Sequence, residues 1–195
     1  MDFFATHWLD ITTTVLGLAY ILLEYKASVW MWVVGFFMQS LGIVLYYQKG
    51  LYADCGMEFY YLAMTVYGFI AWMRHQQKKQ ELPIRHMPLR MALIWVVAGL
   101  AIWVLIYFLL SRFTNSTVPV ADAFTTAFSI VGIWALARKY LEQWLVWIVV
   151  DVVTCFLYFY KDIPFKASLY ALYVVIAVLG YFKWRSLMKS EILKS

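Results

Sequence analysis

The chain has 195 residues, 65% of them hydrophobic and 14% charged, with a net charge of +5 and a mean hydropathy of +0.73. A soluble domain is about 45–50% apolar and roughly 25% charged, so this composition excludes an ordinary soluble enzyme or binding module and points to a bilayer. The basic residues stand between apolar runs, where topology signals stand, which removes the usual reason to read a basic chain as a nucleic-acid binder.

A membrane span takes about 20 apolar residues at 1.5 Å rise each. Seven such runs follow one another and consume most of the chain, leaving no room for a separate soluble domain: residues 1–195 form a single transmembrane domain. The first run, 9–25, lacks a basic start and an A-x-A cleavage site, and reads as a span rather than a removed signal. Glu24 to Ser28 separates it from the second, 29–47. That connection is short enough for a re-entrant helix pair, but both runs approach spanning length. The stretch QKGLYADC (Gln48 to Cys55) leads to the third run, 56–73. From Arg74 to Arg90 the chain is polar and holds Pro83 and Pro88; this is the one real linker. The fourth run is 91–111. Thr114 to Pro119 is rich in turn formers and precedes the fifth run, 122–138. Arg138–Lys139 marks the break before 142–160, and Lys161 to Lys166, with Pro164, the break before 167–184.

With seven spans the loops alternate sides. Lys26, the five basic residues of the linker, Arg138–Lys139 and the C-terminal Lys183, Arg185, Lys189 and Lys194 fall on one side, twelve of the sixteen Lys and Arg. Positive charge marks the cytoplasm, so the N-terminus is expected outside and the C-terminus inside a bacterial cytoplasmic membrane.

Shifted by 112 residues, the halves align without a gap. Asp10, Thr13 and Thr14 fall on Asp122, Thr125 and Thr126; Trp32 falls on Trp144; Leu45, Tyr46 and Lys49 fall on Leu157, Tyr158 and Lys161; Gly68 and Trp72 fall on Gly180 and Trp184. Shared greasiness would match Leu, Val and Ile, whereas these matches are charged, polar, Gly and Trp. Each copy holds three spans, repeat one over 9–73 and repeat two over 122–185. The linker and connecting helix between them (74–121) restore the orientation that three spans invert. The predicted fold is an all-α membrane protein with a 3 + 1 + 3 parallel repeat, the arrangement of SWEET-type transporters, in which the solute binds at the repeat interface near mid-membrane.

A charge deep inside a span is costly and needs a reason. Asp151 sits in the middle of WLVWIVVDVVTCFLYFY. Trp144, Trp147 and Asp151 are spaced i, i+3 and i+7 on one helix face. The repeat mate of Asp151 is Gln39, seven residues after Trp32. Two indoles and a carboxylate suit a flat cationic ligand through stacking and cation–π attraction; the plainer reading is an interfacial Trp belt and a structural carboxylate. Glu58, Trp72 and Thr125 complete the candidate substrate-binding set, with helix–helix hydrogen bonding the plainer role for Thr125. Cys55, Cys155, His7, His75 and His86 are scattered, with no CxxC and no metal-ligand spacing. No nucleophile–base pair or phosphate-cradling loop is present, so neither a catalytic site nor a cofactor or metal is expected.

The stretch GLYAD (Gly50 to Asp54), with Phe59, Tyr60, Tyr67–Gly68 and Trp72, resembles the PnuC family of bacterial vitamin transporters. Glu142, Trp144, Trp147 and Leu157–Tyr158 resemble that family's sixth span, and the likeness covers roughly residues 10–185. The resemblance implies facilitated diffusion of nicotinamide riboside, trapped inside by a phosphorylating kinase, in a 3 + 1 + 3 fold that admits a homotrimer. Other members carry thiamine or riboflavin. The chain departs from the family pattern at Glu58 and Asp151, where amides are common, and at Phe69, where a second Trp is. An ionised carboxylate only accepts hydrogen bonds. It would suit an aminopyrimidine, which keeps thiamine beside nicotinamide riboside as a ligand.

Overall fold

The computed structural model describes residues 2–48, 52–77, 82–114, 117–161 and 164–192, and within these the side chains of 2–7, 10–11, 52–54, 75–77, 164–165 and 191–192 are left aside. Gly50 and Leu51 of the GLYAD stretch lie outside the described residues, as do the side chains of His7 and His75. Seven α-helices are found among the described residues: α1 (Asp2–Tyr25), α2 (Trp30–Gln48), α3 (Tyr52–Gln77), α4 (Leu89–Phe113), α5 (Pro119–Ala137), α6 (Gln143–Tyr160) and α7 (Pro164–Ile192). Every expected span has its helix, and the fold is all-α. Five helices carry windows long and apolar enough to cross a membrane by length and composition alone, in α2, α4, α5, α6 and α7. In α1 the apolar run is the shorter Thr12–Tyr25. The helices overrun the expected spans most at α3 and α7. There the polar ends, Tyr52 to Cys55 and Arg74 to Gln77 in α3 and Arg185 to Ile192 in α7, continue the helix past the apolar stretch.

The chain forms two compact units, Met1–Leu82 and Pro83–Ser195. In the first, α1 packs on α2 and α2 on α3; in the second, α4 packs on α5, α5 on α6 and α6 on α7. Helix α4 lies against α5 at Gly99, where a methyl group would stand 3.3 Å from both Phe128 and Val131. Trp95 lies 4.1 Å from Trp134 by ring centroids, and Trp103 Nε1 donates to the Val120 carbonyl at 2.9 Å. The rest of α4 is outward and apolar: Leu93, Val97, Leu105 and Phe108 are exposed. Water would penalise such a surface, whereas lipid tails cover it.

The two copies share local geometry position by position. After α1, Ala27 takes a left-handed φ of 52°, and after α5, Lys139 does the same. The Ala27 N–H donates to Glu24 and the Ser28 N–H to Leu23; the Lys139 N–H donates to Leu136 and the Tyr140 N–H to Ala135. Each pair of bonds is the Schellman arrangement that satisfies the last helix carbonyls, and it holds here without the usual glycine. Trp32 and Trp72 meet edge to face at 5.5 Å and 89°; Trp144 and Trp184 do so at 5.7 Å and 86°. The Cys55 thiol donates to the Ile43 carbonyl at 3.6 Å. In the second copy the same two positions are Cys155 and Ala167, and the thiol comes from the other member, Cys155 donating to Ala167 at 3.3 Å. The repeat of residue types is thus also a repeat of hydrogen bonds and ring contacts.

The end of the linker docks on the α5–α6 turn. The Arg85 N–H donates to Lys139 and the Leu141 N–H donates back to Arg85, an isolated parallel β-bridge between Arg85 and Tyr140. Glu142 accepts from the Met87 N–H at 2.8 Å and lies 2.7 Å from His86 Nδ1. This carboxylate therefore points outward, and its neighbour Gln143 begins α6.

Candidate functional site

The residues that could hold a solute lie on the second helix of each copy. In α6 the spacing that places Trp144, Trp147 and Asp151 on one face also brings Gln143, Val150 and Thr154 onto the buried side. Asp151 is 7% exposed. None of the ion pairs among the described residues involves it. A buried carboxylate without a cation needs water, a proton or a ligand to offset the lost hydration. Trp147 stands one turn before it, the indole against Gly132 of α5, where a methyl group would meet the ring at 3.1 Å. The buried Trp147 Nε1 has no hydrogen-bond partner among the described residues. One turn beyond, the Thr154 hydroxyl donates to the Val150 carbonyl at 2.7 Å.

The same face of α2 is built from smaller residues, and neighbouring helices fill it. Position 35, the mate of Trp147, is glycine. There Tyr20 of α1 crosses the gap, its ring 3.0 Å from where a methyl group would stand, with Gln39 Oε1 at 3.4 Å. Tyr20 is in turn the mate of Gly132. One aromatic ring fills the same helix–helix gap in both copies, delivered by α1 in the first and by α6 in the second. Position 42, the mate of Thr154, is also glycine, and the Glu58 carboxylate of α3 packs on it, a methyl group there standing 2.8 Å from its carboxyl carbon. Gln39 is buried, and neither its Oε1 nor the Tyr20 hydroxyl has a hydrogen-bond partner among the described residues.

Of the residues expected from sequence, Gln39 and Glu58 share one face of α2 through Gly42, and Trp147 and Asp151 share one face of α6. Trp32 and Trp72 are held against each other, with Trp32 also pressed on Gly68. Trp144 takes the equivalent place against Trp184 and Gly180. These rings are packing anchors that fix α2 on α3 and α6 on α7. The Thr125 hydroxyl turns back to its own helix, donating to Ala121 at 3.2 Å and Asp122 at 3.1 Å. Asp122 takes Lys161 as an ion-pair partner at 2.9 Å; the side chain of its mate Asp10, and Lys49, lie outside the described residues.

Three residues with buried polar atoms escape a reading of the sequence. Tyr20 carries no signal, because the 112-residue offset sets it against a glycine. Thr65 is buried in α3 with its hydroxyl unpartnered among the described residues; its mate is Ala177. Gln143 is fully buried and neither amide atom has a partner among the described residues. Its position one turn before Trp147 is the available signal. No group of His, Cys, Asp and Glu that could hold a metal occurs among the described residues.

A family model described as nicotinamide mononucleotide transporter matches residues 7–186. The nicotinamide riboside transporter PnuC of Escherichia coli K12 is 25% identical, over 91% of this chain and 84% of its own length. The riboflavin/roseoflavin transporter RibM of Streptomyces davaonensis is 26% identical over the same shares, and PnuC of Neisseria mucosa is 26% identical over 93% and 73%. A crystal structure of the vitamin B3 transporter PnuC aligns with a TM-score of 0.75 at 25% identity, covering 94% of this chain and 83% of the solved one.

Proposed function

Because the chain belongs to the nicotinamide mononucleotide transporter family, the vitamin transporters that include PnuC, we propose that it carries a small cationic vitamin precursor, nicotinamide riboside, across a bacterial cytoplasmic membrane by facilitated diffusion. The observation that carries this reading is Asp151: a buried carboxylate without an ion-pair partner among the described residues, one helical turn from the Trp147 indole. A pyridinium ring supplies the missing positive charge and a flat face for the indole. The α6 segment QWLVWIVVDVVTCFLYFY holds a carboxylate and no Lys or Arg. That favours the riboside over the mononucleotide, whose phosphate would need a base.

Thiamine is the second reading. It too is a permanent cation, and its aminopyrimidine has donors for the carboxylate at Asp151. Riboflavin, carried by the related RibM, has a neutral ring with no need of that charge. Calorimetry on the purified protein with nicotinamide riboside, nicotinamide mononucleotide, thiamine and riboflavin separates these. Nicotinamide riboside should bind most tightly; tighter thiamine binding would move the assignment to the second reading, and binding of none would refute both.

The distribution of Lys and Arg supports an outside N-terminus and a cytoplasmic C-terminus. On a background with Cys55 and Cys155 replaced by serine, Thr117→Cys should react with an impermeant thiol reagent in intact cells and Ser190→Cys should not. The reverse labelling would invert the topology.

A further inference from the structure

We propose that Gln143 is a further ligand-binding residue, a second polar station at the opposite end of the α6 face from Asp151; this rests on the vitamin-carrier reading above. Its side chain is 0% exposed, and both the oxygen and the nitrogen of its amide lack a hydrogen-bond partner among the described residues. An amide that folding strips of water and that no described residue bonds needs a partner, which a bound ligand can supply.

The repeat provides an internal control. The mate of Gln143 is Met31, also 0% exposed. Both stand in the same turn: the Gln143 N–H donates to the Tyr140 carbonyl at 3.3 Å and the Met31 N–H to the Ser28 carbonyl at 3.1 Å. The fold accepts a thioether of similar length at this place, so the turn does not require an amide. Along the rest of the face both copies present polar groups at equivalent heights: Tyr20 and Trp147, Gln39 and Asp151, Glu58 and Thr154. Only the first rung is polar in one copy and apolar in the other.

The spacing fits a solute held at both ends. Gln143, Trp147 and Asp151 are four residues apart in turn, within one broad stripe of the helix. Eight residues of helix separate the two ends by about 12 Å, with the indole midway. Asp151 when ionised only accepts hydrogen bonds, whereas the Gln143 amide both donates and accepts. Such an arrangement selects a flat cation extended by a neutral hydrogen-bonding group, as a carboxamide or sugar hydroxyls extend a charged ring. The register is fixed from outside the site, because Glu142 is tied to the Met87 N–H and His86.

The test is Gln143→Met, which copies the first repeat. Wild type and variant are titrated calorimetrically with nicotinamide riboside and with thiamine, and their melting temperatures compared. The expected result is binding weakened more than tenfold for the vitamin that wild type binds, at an equal or higher melting temperature. Unchanged affinity would overturn the proposal. So would a lower melting temperature, which would show that the amide serves the fold. Failure of wild type to bind either vitamin would instead refute the carrier reading on which the proposal rests.

Discussion

Replacing Gly180 with alanine should lower the melting temperature of the purified protein by roughly 10 °C, corresponding to about 3 kcal/mol of destabilisation for a chain of this size. The added methyl group would stand 2.6–2.7 Å from three carbons of the Trp144 ring. Relief requires the indole to move, and it has nowhere to go: Trp144 is fully buried and Trp184 holds it edge-on at 5.7 Å. Gly68→Ala should have an effect of similar size, since its methyl group would lie 2.4 Å from the Trp32 ring, which Trp72 holds in the same way. Gly56→Ala is the control. Nothing lies within 4 Å of a methyl group there, so the substitution should stabilise α3 by about 0.5–1 kcal/mol through helix propensity. Thermal unfolding of the three variants in detergent decides the matter. A wild-type melting temperature for Gly180→Ala and Gly68→Ala would mean that the Trp–Gly contacts do not lock the second and third helices of each copy.

These contacts are legible in the sequence because both members of each pair repeat. Gly68 and Trp72 recur as Gly180 and Trp184, so the 112-residue offset alone singles them out. Other parts of the repeat are hidden by the same offset. Tyr20 against Gly35 and Gly132 against Trp147 are one shared piece of packing, with the large and small partners exchanged between helices. Position by position this exchange scores as two mismatches, because volume across a gap is kept while each residue type is not. The thiol–carbonyl contacts hide likewise, Cys55 donating in one direction along the pair and Cys155 in the other. The left-handed residues are Ala27 and Lys139; without glycine they give no turn signal. The outward role of Glu142 is also invisible in the sequence, since its partners, His86 and the Met87 N–H, lie 55 or more residues away in the linker. What periodicity and hydropathy reveal is the set of helices. What they miss is which neighbour fills each gap, and at Tyr20 and Gln143 that choice decides where buried polar atoms sit.

Asp151→Ala should weaken vitamin binding more than tenfold, a loss of at least about 1.4 kcal/mol, while leaving a folded protein whose melting temperature does not fall. A carboxylate in the middle of a membrane helix is penalised by at least about 2.5–3.5 kcal/mol when nothing compensates it. Asp151 is buried, and no ion pair among the described residues involves it. Removing the group therefore removes a desolvation penalty from the free protein and a partner from the bound cation, so stability and binding should move independently. Asp151→Asn tells the ligands apart. An amide keeps one acceptor and gains a donor. The ribose hydroxyls of nicotinamide riboside both donate and accept, so they tolerate the exchange, and affinity should stay within about threefold of wild type, well under 1.4 kcal/mol. An aminopyrimidine presents donors to the site and meets the new N–H as a clash of like groups, so thiamine should bind the asparagine variant about as poorly as the alanine one. Calorimetric titration of both variants with both vitamins reads all of these outcomes. Wild-type affinity in Asp151→Ala and Asp151→Asn alike would make Asp151 a structural residue and place the binding site elsewhere in the chain.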